Sequence, residues 1–208
     1  MERHLKFSAT SPAGKTETLL GGLQACLVRF APAVIFAVLA TPWAPAAAQQ
    51  PTPFIQEARI GVLAHDVPNL WSHFRTETQK PDLNGELTFS PSVSLWGGSI
   101  RPAIGGTVNF NGGTSKAYAD ARWEYQTSLG VFFGMGLGVA VHNGHLGIDA
   151  EDHKALGRRV LFHIPAEIGY RFAGGQTLSL YFEHISNAHT TRYNEGLDDL
   201  GVRYGIKF

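Results

Sequence analysis

Cysteine is nearly absent from this sequence: Cys26 is the only one in 208 residues. A mature chain starting beyond it can form no disulfide and supplies no thiolate nucleophile or cysteine metal ligand, so its stability must come from backbone pairing and packing. Charge bias is absent too, with 17 Lys and Arg against 17 Asp and Glu, which argues against a nucleic-acid binder. No apolar run is long enough to cross a membrane as a helix, and from Pro51 onward no stretch shows convincing 3.6-residue periodicity.

The first fifty residues differ from the rest. A basic patch ending at Arg29 is followed by FAPAVIFAVLATPWAPAAAQQ, an apolar run and then small residues. Its apolar core is short and interrupted by proline, and Ala46-Ala47-Ala48 offers a small-x-small cleavage pattern, so the segment reads as a secretory signal peptide. Cleavage is expected after Ala48, which divides the chain into a leader, 1–48, and one exported domain, 49–208, free of cysteine.

The exported part alternates with period two. In LGVFFGMGLGVAV, Leu129, Val131, Phe133, Met135, Leu137, Val139 and Val141 share a face, and the opposite face is mainly glycine. In VLFHIPAEIGYRF the apolar set is opposed by His163, Glu167 and Arg171, and in the last stretch Leu200, Val202, Tyr204, Ile206 and Phe208 are opposed by Arg203 and Lys207. Soluble sandwiches alternate as well, but these faces stay apolar for six or seven alternations, and a membrane-spanning strand needs about 9 to 11 residues. Trp123, Tyr125, Tyr170, Phe172 and Phe208 fall near strand ends, as interfacial aromatic girdles do.

Eight strands are predicted, near 55–65, 83–93, 99–110, 115–126, 128–142, 158–172, 176–187 and 197–208. The fold class is therefore all-β: an eight-stranded antiparallel transmembrane β-barrel of the bacterial outer membrane, with its interior filled by side chains. Asp120, Arg122, Glu124, Glu167, Arg171, Glu183, Arg203 and Lys207 are expected to pair inside, since buried charges are tolerated only when paired. Both chain ends fall on the periplasmic side, so the connection after the seventh strand is extracellular. A lipocalin-like soluble barrel is disfavoured because it would bury the aliphatic faces and expose the charged ones.

That connection follows a crowded polar stretch. In LSLYFEHIS, Leu178, Leu180 and Phe182 point toward lipid, and counting on by twos puts His184 and Ser186 on the same outer face. Counting back from Val202 and Leu200 makes Asp198 outward and Asp199 inward, while Glu195 falls in the turn. A hydroxyl, an imidazole and a carboxylate gathered on one face have the role-bearing types of a serine hydrolase. They also suit the polar band where lipid tails give way to head groups, and spacing leaves both readings open.

The motif HISNA, residues 184–188, followed by NEGLDDLG, residues 194–201, resembles the lipid A 3-O-deacylase family, the PagL-like acyloxyacyl hydrolases. The resemblance is marked over about the last thirty residues and architectural over the rest. It implies an outer-membrane carboxylic ester hydrolase that removes the acyl chain ester-linked at position 3 of lipid A, with its triad on the lipid-facing wall. By this resemblance Ser186 is the nucleophile, His184 the general base and then acid, Asp198 the orienting acid and Asn187 an oxyanion donor. Asp198 is one methylene shorter than the glutamate also found in the family, and His189 stands where a small residue often does. No cofactor and no metal are implied, and His142, His145, His153, His163 and His189 read as loop or interior residues. The implied partners are lipid A or lipopolysaccharide as substrate and outer-membrane lipids as surroundings, with a homodimer among the states open to such a barrel. In the loop before the sixth strand, Arg158 and Arg159 are placed to meet anionic phosphates. The competing function is a non-enzymatic small barrel, a structural protein or an adhesin.

Overall fold

The computed structural model describes residues 52–73, 75–77 and 81–208. The expected leader, with its cleavage point and Cys26, lies outside the described residues. The alternating stretches form β1 Ile55–Ala64, β2 Pro81–Phe89, β3 Val93–Leu95, β4 Gly98–Val108, β5 Lys116–Gln126, β6 Val131–His142, β7 Val160–Arg171, β8 Gln176–Ser186 and β9 Leu197–Lys207. Neighbours pair antiparallel, β9 pairs with β1, and β2 pairs with β4, which closes the sheet. The three-residue β3 pairs only with the start of β4 and is no stave of the wall, so the barrel has eight strands. Among the described residues there is no helix.

Two ends of the barrel differ in connection length. Residues 127–130 and 172–175 make tight turns at one end, whereas 65–80, 109–115, 143–159 and 187–196 are longer loops at the other. In bacterial outer-membrane barrels the short turns are periplasmic and the long loops extracellular. The girdle is seen at the short-turn end, where Trp123 stacks on Tyr125 at 6.4 Å and Tyr170 meets Phe172 edge-on at 5.0 Å.

The two faces of the wall follow from residue type. Outward, β6 shows Phe133, Met135, Leu137, Val139 and Val141, β8 shows Leu178 and Leu180, and β9 shows Val202, Tyr204 and Ile206, all exposed. A belt of aliphatic and aromatic side chains this continuous is stable only against hydrocarbon. Inward, the charges interlock. Arg203 is fully buried, donates to Glu167 at 2.6 Å and Glu86 at 3.3 Å, and lies over the Tyr181 ring at 3.6 Å. Arg59 reaches Glu57, Glu124 and Glu167, Arg171 reaches Glu57 and Glu124, and His163 sits between Asp120 and Glu183.

The inner glycines of β6 make room for this filling: a Cβ on Gly138 would collide with the Asp120 carboxylate and the Ala119 carbonyl. One expected member of the interior set departs. Lys207 is exposed at the periplasmic rim and makes no ion pair among the described residues, because strand β9 ends there and the amine reaches water. The sequence also omitted Lys116 from the interior set; its amine lies 2.8 Å from Glu183 and bonds Asp199 as well.

Candidate active site on the outer wall

Strand β8 keeps its alternation to its end. Thr177, Ser179, Tyr181, Glu183 and Ile185 are buried on the inner face, and His184 and Ser186 follow Leu178, Leu180 and Phe182 on the outer one. The antiparallel register of β8 and β9 sets Asp198 directly across from His184, while Asp199 pairs across from Glu183 on the inner face. The His184 Nδ1–H donates to Asp198 Oδ1 at 2.6 Å, since a carboxylate can only accept. Its Nε2 makes no hydrogen bond among the described residues. The free ring nitrogen is the one that could take up a proton.

The pair is on the outer wall, yet it is not open to solvent: His184 is 5% exposed and Asp198 0%. What covers it is the loop after β1. Closure of the barrel makes β1 the neighbour of β9, so the chain leaving β1 passes over the start of β9. The Trp71 and Ser72 backbone N–H groups donate to Asp198 Oδ2 at 2.7 and 2.5 Å, and the Trp71 indole stacks on the imidazole at 4.5 Å and 13°. From the other side Gly196, at φ 66°, lies so close that a Cβ would stand 3.0 Å from His184 Cε1. Trp71 and Ser72 were missed in the sequence, where nothing local marks a loop 112 to 127 residues upstream as part of this patch, and Gly196 was not singled out within the NEGLDDLG motif. Adjacency of first and last strands was the one available signal.

Ser186 is half-buried, pairs across β7 with Phe162, and has no side-chain hydrogen bond, to His184 or otherwise, among the described residues. The structure thus joins His184 to Asp198 directly and leaves Ser186 two strand steps away, about 7 Å between Cα atoms. Asn187, the expected oxyanion donor, is engaged within its own loops. Its Nδ2 is directed at Leu156 O, Thr191 Oγ1 and Tyr193 O at 2.9, 2.9 and 2.6 Å, and its backbone N–H donates to Asn194 Oδ1. Buried at the root of the β8–β9 loop, its amide is fully used in holding that loop to the β6–β7 loop. The two residues after it, Ala188 and His189, both take the left-handed conformation, at φ 53° and 59°, in a turn closed by Thr190 N–H on Asn187 O. Non-glycine residues rarely adopt that region, and such strain gathers at functional sites.

Glu195, the other acid of the segment, accepts from Ala155 N–H at 2.7 Å and faces Arg75 at 3.7 Å, away from His184. Asp199 accepts from Asp66 N–H at 2.9 Å and bonds the Lys116 amine inside. Next to it His65 is held between Asp82 at 2.7 Å and Glu77 at 3.0 Å. Burial alone would lower the His65 pKa, but its hydrogen bonds to Asp82 and Glu77 push it up to about 10. Burial would raise Glu77, but hydrogen bonds from His65, Thr114 and Lys154 bring it down to about 2. His65, Asp82 and Asp199 each present a ligand atom within 4.8 Å of the others, but a cation there would have to displace the proton that these carboxylates hold on His65. The cluster is an ion-pair anchor.

Arg158 and Arg159 are exposed beside a groove of about 460 Å³ on the outer wall, floored by Val139, Val160 and Phe162 and ending at Asn187 and Thr190. The Arg159 guanidinium donates to Gly144 O, at 2.5 Å, and to His142 O. No side-chain hydrogen bond of Arg158 occurs among the described residues.

No curated protein sequence matches the chain. Among solved structures it is similar to the crystal structure of the outer membrane enzyme PagL, with 20% identity over 74% of this chain and 99% of that one and a TM-score of 0.54. It is also similar to Neisserial surface protein A, NspA, at 10% identity, 76% and 100% coverage and a TM-score of 0.47, and to the Yersinia pestis outer membrane protein Ail, at 9%, 73% and 99% and 0.41. The first of these likenesses supports the barrel fold. Residues 96–207, more than half of the chain, match the sequence model of the family described as lipid A 3-O-deacylase (PagL), and the chain belongs to that family.

Proposed function

We propose that this protein is an outer-membrane lipid A 3-O-deacylase, exported by way of the 1–48 leader, that hydrolyses the acyl ester at position 3 of lipid A with Ser186, His184 and Asp198. The observation that carries the reading is the His184–Asp198 hydrogen bond on the lipid-facing wall, with the second imidazole nitrogen free. Asp198 fixes the tautomer with the proton on Nδ1, so Nε2 is the basic atom. A serine hydroxyl turns between staggered wells, and hydrogen bonds of an empty site commonly close only around substrate. Ser186 Oγ would attack the ester carbonyl as Nε2 takes its proton. Collapse then transfers the acyl group to Ser186 and gives the proton to the sugar oxygen that leaves. Water, deprotonated by the same nitrogen, next attacks the acyl-serine and releases the free fatty acid.

The developing oxyanion needs N–H donors. With the Asn187 amide committed to its loop, the backbone N–H groups of the left-handed turn, Ala188 and His189, are the assigned donors, and Asn187 holds that turn in place. One lost donor typically costs about 100- to 1000-fold. A substrate confined to the bilayer reaches an outer-wall site by lateral diffusion, and the Val139, Val160 and Phe162 groove with Arg158 at its rim suits an acyl chain below a phosphorylated head.

Mass analysis of purified lipid A incubated with the protein tests this. The wild type should release the 3-linked acyl chain and no other, and Ser186→Ala and His184→Ala, folded as heat-modifiable barrels, should not. Undiminished release by Ser186→Ala would sink the serine mechanism, and lipid A left intact by the wild type would return the protein to the non-enzymatic barrels.

A further inference from the structure

The loop between β1 and β2 precedes the stretch that matches the family, 96–207, yet it touches both members of the His184–Asp198 pair. We infer that this loop is a strap that positions the pair for catalysis, with Trp71 as the positioning side chain; the inference rests on the deacylase reading above. The geometry divides the work between backbone and ring. Two consecutive N–H groups, of Trp71 and Ser72, fall on one oxygen of Asp198, which turns the other toward His184. The indole lies flat on the imidazole and restricts its rotation about the Cβ–Cγ bond, so Nε2 keeps one direction. Trp71 itself is 53% exposed, and the ring therefore covers the histidine while its far side meets the membrane boundary.

The strap is fastened at several of its described residues. At its start Asp66 N–H donates to Asp199, Val67 N–H donates to Asp198 O at 2.7 Å, and His65 is gripped by Asp82. Near its end Glu77 receives the Thr114 N–H and hydroxyl, the Lys154 N–H and the His65 ring. In the middle the Lys154 amine reaches Asp66 at 3.2 Å, Ser72 Oγ at 3.3 Å and the His73 carbonyl at 3.2 Å. Of these fastenings, Val67 on the Asp198 carbonyl and Lys154 on Ser72 Oγ lie next to the pair, and the others hold the two ends of the loop. Trp71 and Lys154 themselves belong to loops and not to wall strands, so the strap can be perturbed without breaking a stave.

Steady-state kinetics on purified lipid A separate positioning from mere packing. Displacing a catalytic group by about 1 Å can cost on the order of 100-fold. Trp71→Ala should therefore lose about 10- to 100-fold in kcat with KM nearly unchanged, Trp71→Phe should recover most of the loss, and Lys154→Met, which loosens the strap from a distance, should fall between them. The downfield His184 Nδ1–H resonance should broaden in Trp71→Ala and stay sharp in Trp71→Phe. Wild-type kcat in Trp71→Ala, an equal deficit in Trp71→Phe, or a loss entirely in KM would each overturn the inference. Ser186→Ala assayed alongside keeps the two readings apart: if it stays active the deacylase assignment falls, and if it is dead while Trp71→Ala is fully active only the strap falls.

Discussion

His163 and His184 stand on neighbouring strands one residue apart in register, each hydrogen-bonded to carboxylate, and they differ in how many of their ring nitrogens are taken. His163 faces inward, where Asp120 at 2.9 Å and Glu183 at 3.2 Å occupy both ring nitrogens. His184 faces outward, where Asp198 occupies one and the other has no partner among the described residues. His65, at the extracellular end, follows the inner pattern with Asp82 and Glu77. Two acceptors occupy both nitrogens of an interior imidazole; a single acceptor leaves the second nitrogen of His184 open, as the proposed base requires. Parity of the strand, one residue in either direction, decides which of the two arrangements a histidine takes.

The largest effect that would sharpen this contrast is on Asp198. Asp198→Asn should keep the barrel and lose about 10,000-fold in deacylase rate, because an amide favours the wrong tautomer of His184. Asp199→Asn, one position along on the inner face, should lose little rate, with its cost appearing in stability through Lys116. Lipid A turnover and heat-modifiability of both variants make the check, and a silent Asp198→Asn would mean that another acid serves the histidine.

Next in size is a break of the inner region. Alternation alone ranks a charge on the lipid face, Val202→Arg at about 2 to 4 kcal/mol, above the loss of charge in Arg203→Gln. The buried contacts of Arg203 with Glu167 and Glu86 reverse that order. Removing one partner of a buried pair costs about 3 to 5 kcal/mol, so Arg203→Gln should fold in lower yield than Val202→Arg, as read from urea titrations of folding into vesicles.

Gly196→Ala probes the outer region more gently. The new methyl meets His184 Cε1 at 3.0 Å in a backbone conformation of φ 66°. A cost of about 1 to 2 kcal/mol in stability is expected from the left-handed backbone, and a shift of the imidazole should lower kcat more than KM. Equal kcat for Gly196→Ala and wild type would show that the imidazole is held less tightly than its contacts imply.

The smallest effect expected is that of pH on the strap. His65 is raised from its ordinary 6.5 to about 10, so its contribution is complete below 6.5 and disappears as pH rises through 10. Glu77 is depressed from 4.5 to about 2, so its contribution is complete above 4.5 and is lost as pH falls through 2. Trp71 fluorescence, in residues 49–208 carrying Trp96→Phe and Trp123→Phe, should be flat across neutral pH and change near pH 10, and His65→Gln should abolish that step. A step of unchanged size in His65→Gln would assign it to another group.

Much of this was readable in the order of residues. Long alternations such as Leu129 to Val141 announced lipid-facing strands because a two-residue period puts a side chain on a face whatever its neighbours do. The same rule separated Asp198 from Asp199, and it needed no knowledge of contacts. What it could not reach were groups brought in by closure. Trp71 and Ser72 come to Asp198 because the first and last strands are adjacent, and no local spacing records that. Asn187 was read from its place in a motif, while its hydrogen bonds depend on where Leu156, Thr191 and Tyr193 arrive.

By itself the sequence determined the strands, the two faces and the side on which His184, Ser186 and Asp198 lie, since these follow from backbone geometry and the sorting of apolar from charged side chains between lipid and interior. Only the tertiary structure decided that His184 has one acceptor where His163 and His65 have two, that the Asn187 amide is already engaged, and that a loop from the far end of the chain covers the pair. Those outcomes depend on distances between segments remote in sequence, and such distances are set when the barrel closes.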